Sequence, residues 1–308
     1  MNIPVGLLGI VLAIRFLPED RAEARPRDLD FVGFCLLSPG LVLFLYGMDH
    51  VSERIGLTAF FVALVLLTVF IRTATIKGDD ALIDLQLFRG KDFSASVLTQ
   101  FTLNGISFAG QMLIPIYLIR MCGESPSAAG WLMAPLGLGM ICTYPKVGVL
   151  TQRFGIRRVA AGGAFLALAG TLPFLYLASY GMSLPLLVCA LFVRGMGLSA
   201  VGIPSLTSAY ASVEKERLPR ATTALNIVQR LGGPTLTTLC ATFLGWRLGM
   251  AHQATGISRA FTATFMLLSL IQILLLVAAL RLPFSIEKKR KQSPSDEEVT
   301  LLIEEASE

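Results

Sequence analysis

The chain has 308 residues, 54% of them hydrophobic and only 15% charged, with 26 Lys and Arg against 21 Asp and Glu. A mean hydropathy of +0.68 excludes an ordinary water-soluble domain, in which about a quarter of the residues are charged. The positive balance sits in loops and near the C-terminus without an aromatic-interleaved basic groove, so it implies an anionic lipid surface and not nucleic acid.

In chain order, apolar stretches cover residues 3–17, 31–48, 56–71, 93–119, 128–150, 159–178, 184–210, 221–246 and 257–282. A helix rises 1.5 Å per residue, so about 20 residues cross a hydrocarbon core about 30 Å thick. The pattern therefore predicts an all-α polytopic membrane protein with nine transmembrane helices. The stretch at 56–71 is marginal for a crossing, and the one at 3–17 is short.

The loops between these stretches alternate in charge. Arg21, Arg25 and Arg27 follow the first stretch, Arg72, Lys77, Arg89 and Lys91 the third, and Arg153, Arg157 and Arg158 the fifth. Lys215, Arg217 and Arg220 follow the seventh, and Arg281 with Lys288, Lys289, Arg290 and Lys291 the last. The intervening loops hold only Arg54, Arg120 and Arg247. Short cytoplasmic loops retain Lys and Arg, so the N-terminus is predicted outside and the C-terminus inside, in a plasma or bacterial inner membrane.

An ionisable group at mid-membrane costs at least about 2.5 kcal/mol, which makes each one a functional candidate. Arg194 lies near the middle of 184–210, and no acid occurs between Glu124 and Glu214 to pair with it. It reads either as a structural group bonded to carbonyls of a neighbouring helix or as a contact to substrate or to a segment outside the chain. Arg230 has the same two readings. The acids fall in loops, at span edges or in the tail, with Asp49 and Asp92 nearest to a membrane position. A buried carboxylate for proton coupling is not expected in this chain.

Two stretches carry a polar stripe at helical period: Gln100, Asn104 and Gln111, then Thr222, Asn226, Gln229 and Arg230. Such a stripe bonds to neighbouring helices or walls a polar cavity. Gln100, Asn104, Gln111, Asn226 and Gln229 are the candidate cavity residues, and Arg194 and Arg230 the candidate buried charges. Pro115, Pro135, Pro145, Pro204 and the run Gly232-Gly233-Pro234 are expected to interrupt helices.

Enzymatic chemistry has few residues to use. His50 and His252 are the only histidines, and the five Cys are scattered, so neither HExxH nor CxxC spacing occurs, and no GxSxG elbow is present. No catalytic residue, metal or cofactor is expected.

The loop Gly148-Val-Leu-Thr-Gln-Arg-Phe-Gly-Ile-Arg-Arg158 resembles the G-x-L-x-D-R-x-G-x-R-R motif of the major facilitator superfamily. Gly148, Arg153, Gly155, Arg157 and Arg158 carry the match, and Gln152 stands at the motif's Asp. Leu82-Ile-Asp-Leu-Gln-Leu-Phe-Arg89 resembles the segment that opens the C-terminal half of the fourteen-helix drug:proton antiporters. Asn2 to Gly9 with Arg15 to Pro18, Ser127 to Pro135, and Arg230 to Gly233 resemble their sixth, tenth and thirteenth helices.

The resemblance implies helices six to fourteen of such a carrier. Residues 1–30 would be the last helix of the N-terminal half and its loop, and 31–92 an extra helix pair with a linker. Residues 93–283 would be the six-helix C-terminal bundle, and 284–308 a cytoplasmic tail. The first five helices, with the acids important for coupling, would lie outside these residues. The implied function is that part of a proton-coupled efflux transporter of amphipathic drugs or other small molecules. Two readings stay open beside it. One is an inactive truncated fragment, or a split-transporter subunit needing a separately encoded N-terminal half; the other is a sugar or organic-acid facilitator of the same superfamily.

Overall fold

A computed structural model of the chain describes residues 30–51, 53–78, 83–214, 217–250 and 254–284, with isolated helical positions at 6, 9, 12 and 14–16. Most of the first apolar stretch, the loop holding Arg21, Arg25 and Arg27, and the tail from 285 onward lie outside the described residues.

The regular structure of the described residues is all helical, with no strand. Helices α1 (Phe31–Asp49) and α2 (Arg54–Lys77) form a hairpin, and a 3-10 turn (Leu85–Arg89) leads into α3 (Lys91–Arg120). There follow α4 (Pro126–Leu132), α5 (Ala134–Phe154), α6 (Ile156–Ala169), α7 (Pro173–Tyr180), α8 (Leu184–Ala211), α9 (Leu218–Gly249) and α10 (Ala254–Leu280). Short polar side chains set several starts. The Asp30 carboxylate accepts from the Gly33 N–H at 2.9 Å ahead of α1. The Ser125 hydroxyl accepts from the Ala128 N–H at 3.2 Å, with Pro126 as the first residue of α4.

Seven helical units are long and apolar enough to cross a membrane: α1, α2, α3, α4 with α5, α6 with α7, α8, and α10. The stretch predicted at 221–246 is the helix α9, at 32 residues the longest described, but it is not apolar enough to belong with those seven. Pro115, Pro145, Pro204 and Pro234 sit inside unbroken helices, contrary to the expectation that they interrupt them. A membrane helix tolerates the missing bond where neighbouring helices and local adjustments satisfy the freed carbonyl. Of the expected positions, Pro135 does adjoin a break, at Met133, and a further break falls at Gly170–Leu172, between α6 and α7.

In the bundle, α3 packs along the length of α9, while α8 lies against α5, α6 and α3. Helix α10 closes the far side over α3, α6 and α7. Small residues allow the closest approaches: a Cβ at Gly197 of α8 would lie 2.2 Å from the Ala167 backbone nitrogen of α6. One apolar core fills the bundle around Leu113, Tyr117, Phe174, Phe261 and Phe265. A second joins α1 and α2 to the bundle, with Phe70, Ile83, Leu87, Phe93, Ala209 and Leu225 among its members. The outer surface carries exposed Phe61, Val65, Trp131, Ile141, Phe165 and Trp246, the complexion of a surface solvated by hydrocarbon.

Candidate functional site

Helices α3, α5, α8 and α9 border an open groove of about 250 Å³. Its polar lining comes from Gln100, Asn104 and Ser107 of α3, Tyr144 of α5 and Gln229 of α9, interleaved with Met140 and leucines. No ionisable carboxylate or cation lines it. A helical face with polar groups every three to four residues must meet partners or water inside a membrane, and here it faces a cleft.

Gln100 is only 3% exposed and is held on both sides of its amide nitrogen. It donates to the Gly202 carbonyl at 2.8 Å and to the Ser205 hydroxyl at 3.0 Å, which pins α3 to α8. Asn104 donates to the Gln100 carbonyl at 3.0 Å, one turn back along α3. Gln229 projects from α9 and is half-buried. Gln100, Asn104 and Gln229 thus come together in one groove. Gln111, Asn226 and Arg230 do not line it; all three are exposed on α3 and α9. Met140 and Tyr144 belong to the groove without having been anticipated, because nothing in an apolar stretch marks which of its larger residues will face a cleft.

Arg194 is buried among four helices at 1% exposure. Its guanidinium donates to the Ile106 carbonyl of α3 at 3.0 Å and to the Thr171 hydroxyl at the break between α6 and α7. Gln272 of α10 donates to the same Thr171 oxygen at 2.9 Å. Gly110 makes the room, since a Cβ there would lie 2.2 Å from Arg194 Nη2. The charge is therefore met by two neutral oxygens, a backbone carbonyl within α3 and a hydroxyl at a helix break. Thr171 and Gln272 escape sequence reasoning, because a lone Thr two residues before a Pro and a lone Gln in an apolar run show no pattern.

The loop motif forms a clamp on the end of α10. Arg157 Nε donates to the Leu282 carbonyl at 2.5 Å, and the Arg158 guanidinium lies 4.7 Å from the Phe284 ring centroid. Gly155, at φ +86°, turns the chain from α5 into α6, and a Cβ there would meet the Phe284 carbonyl at 2.5 Å. Arg153 lies over its neighbour Phe154 at 5.4 Å, and Gly148 is exposed with open space around it.

Two acids outside the apolar stretches are buried nonetheless, Asp84 and Asp30. Asp84 is wholly buried, with its Oδ2 3.5 Å from Arg217 and 3.7 Å from Arg220. Asp30 pairs with Lys77 at 2.6 Å. Both acids lie outside the apolar stretches, so span hydropathy gives no sign that packing covers them.

A helix bundle with a hydrocarbon-facing exterior and a polar groove between its helices has the architecture of a polytopic membrane carrier. The family model described as Major Facilitator Superfamily matches residues 1–237 and 97–306, and the chain belongs to that superfamily. It is 29% identical over 254 residues to a "Multidrug resistance protein B homolog" of Mycobacterium tuberculosis, covering 80% of this chain and 47% of that protein. It is 26% identical over 264 residues to the "Riboflavin transporter RibZ" of Clostridioides difficile, covering 85% of this chain and 54% of that one. The chain thus spans about half the length of the curated relatives it matches.

Proposed function

We infer that this chain supplies the C-terminal wall of an efflux carrier for amphipathic small molecules, with the groove between α3, α5, α8 and α9 as its part of the substrate path. The observation that carries the reading is the meeting of Gln100, Asn104 and Gln229 in a cleft within an otherwise apolar bundle. Uncharged amides beside Tyr144 and Met140 suit ligands with an aromatic body and a few hydrogen-bonding groups. A drug-resistance protein and a riboflavin transporter among the relatives agree in that chemistry.

In this reading α3 to α10 form the C-terminal bundle, α1 and α2 the extra helix pair, and the basic loops around Arg157 and Arg217 face the cytoplasm. Proton coupling rests on carboxylates outside the described spans, since the groove contains none. Exposed Gln111, Asn226 and Arg230 on α3 and α9 favour a second helical half beside this one, because polar groups on a bundle face need partners away from lipid.

The test is drug susceptibility in an efflux-deficient bacterial host. Residues 1–308 alone insert without conferring resistance. The same residues fused behind the N-terminal half of the Mycobacterium tuberculosis relative do confer it, and Gln229→Ala in that fusion weakens it. Resistance from residues 1–308 alone would overturn the one-wall reading, and an unaffected Gln229→Ala fusion would overturn the role of the groove.

A further inference from the structure

Asp84 closes an ion cluster that the groove does not use. It lies in Leu82-Ile-Asp-Leu-Gln-Leu-Phe-Arg89, at the foot of the 3-10 turn that feeds α3. One carboxylate oxygen accepts from the Gln86 N–H at 2.9 Å and so caps that turn. The other sits in ion-pair range of Arg217 and Arg220, at the start of α9, with no hydrogen bond of its own. Arg217 is also 3.9 Å from Glu214, which draws the end of the α8 segment into the same cluster.

The position matters because α3 and α9 are the two groove helices that run longest against one another. Gln100 lies nine residues into α3 and Gln229 eleven into α9, about 14 and 17 Å from the helix starts at 1.5 Å per residue. The N-terminal ends of both helices meet at Asp84, and the positive end of the α9 dipole adds to the attraction for its carboxylate. Beside the cluster a cleft of about 340 Å³ runs between Gln86, Lys91, Asp92, Ser212, Glu214 and Arg217, so solvent reaches the arginine side of the pair. Beneath it, Phe93 and Val97 of α3 pack with Ala221 and Leu225 of α9 in the second apolar core.

We propose that Asp84 is a positioning residue for the groove: with Arg217 and Arg220 it latches the start of α9 to the turn that opens α3 and holds that end of the groove shut. This rests on the carrier reading only for its transport consequence. The latch itself is a statement about two helix ends and is tested without transport.

The experiment is limited trypsin digestion of the purified chain in mild detergent, with cleavage sites read by mass spectrometry. Asp84→Asn keeps the shape and the acceptor that caps Gln86, but replaces the charged oxygen that draws the two arginines with an amide nitrogen. Cleavage after Arg217 and Arg220 then rises about fivefold or more, since proteolysis of a transiently open segment follows its open population. Cleavage after Arg153, Arg157 and Arg158 stays at the wild-type rate, because that loop is held independently on Leu282 and Phe284. Asp84→Glu, which restores the charge, returns the Arg217 and Arg220 sites most of the way to protection. Unchanged cleavage at 217 and 220 in Asp84→Asn would overturn the latch. Equal acceleration at both loops would also overturn it, by showing general loosening instead.

Discussion

Replacing Thr171 with Val tests how the bundle tolerates Arg194. The side chain keeps its shape but loses the oxygen that receives both the Arg194 guanidinium and the Gln272 amide. A buried charged donor left without its acceptor costs about 1.5–3 kcal/mol, and a neutral amide about 1 kcal/mol. Interhelical bonds in membranes average only about 0.6 kcal/mol, because the separated helices find other partners, so the net loss should be about 2–3 kcal/mol. Arg194→Met behaves differently. It removes the demand along with the donor: Thr171 keeps Gln272 and the Ile106 carbonyl stays in its own helix, for a loss of about 1 kcal/mol. The two changes must therefore be coupled, with the Thr171→Val/Arg194→Met double variant more stable than Thr171→Val alone. Unfolding by sodium dodecyl sulfate in mixed micelles, followed by helical circular dichroism, gives the four free energies of the cycle. Thr171→Val indistinguishable from wild type, or a double variant less stable than Thr171→Val, would refute the assignment of Thr171 as the acceptor that makes the buried charge tolerable.

Two further predictions concern glycine positions. Gly155→Ala should destabilise by about 1–3 kcal/mol, because φ +86° with ψ 158° is a region nearly reserved for glycine and the new methyl meets the Phe284 carbonyl. Thermal unfolding in detergent measures the cost, and faster trypsin cleavage at Arg157 should accompany it. Gly197→Ala would set a Cβ 2.2 Å from the Ala167 nitrogen and 2.6 Å from the Gly163 carbonyl, both backbone atoms that cannot rotate away. The strain of forcing α6 from α8 is about 1–3 kcal/mol, read by the same unfolding, whereas Gly162→Ala, with open space around it, should be near neutral.

Much of the architecture was open to reading from composition and period alone. Hydrocarbon has no hydrogen-bonding capacity, so a run of about twenty apolar residues has little choice but to be a helix, and the stretches at 31–48, 93–119 and 184–210 emerge as α1, α3 and α8. The polar stripe containing Gln100 and Asn104 was legible for the same reason, since an amide in an apolar helix stands out against its neighbours. The loop motif was legible as a pattern of residue types, but its hold on Leu282 and Phe284 was not, because those residues lie more than a hundred positions further on.

What only the tertiary structure decided is which polar groups share a space. Period places Gln100 and Gln111 on similar sides of α3, yet one bridges to α8 beside the groove and the other is exposed, because neighbours cover only part of the helix. The sequence offers Arg194 no acid partner within its spans; its partners are a carbonyl of α3 and a hydroxyl at the break between α6 and α7. Asp84 reads in the chain as one more loop acid, and only the packing of α9 against the turn before α3 makes it a buried one. Local sequence determines what each segment can be in a membrane, because the solvent penalises every unmet backbone group alike. Which side chains meet depends on how helices distant in sequence pack, and a single helix's pattern does not encode that.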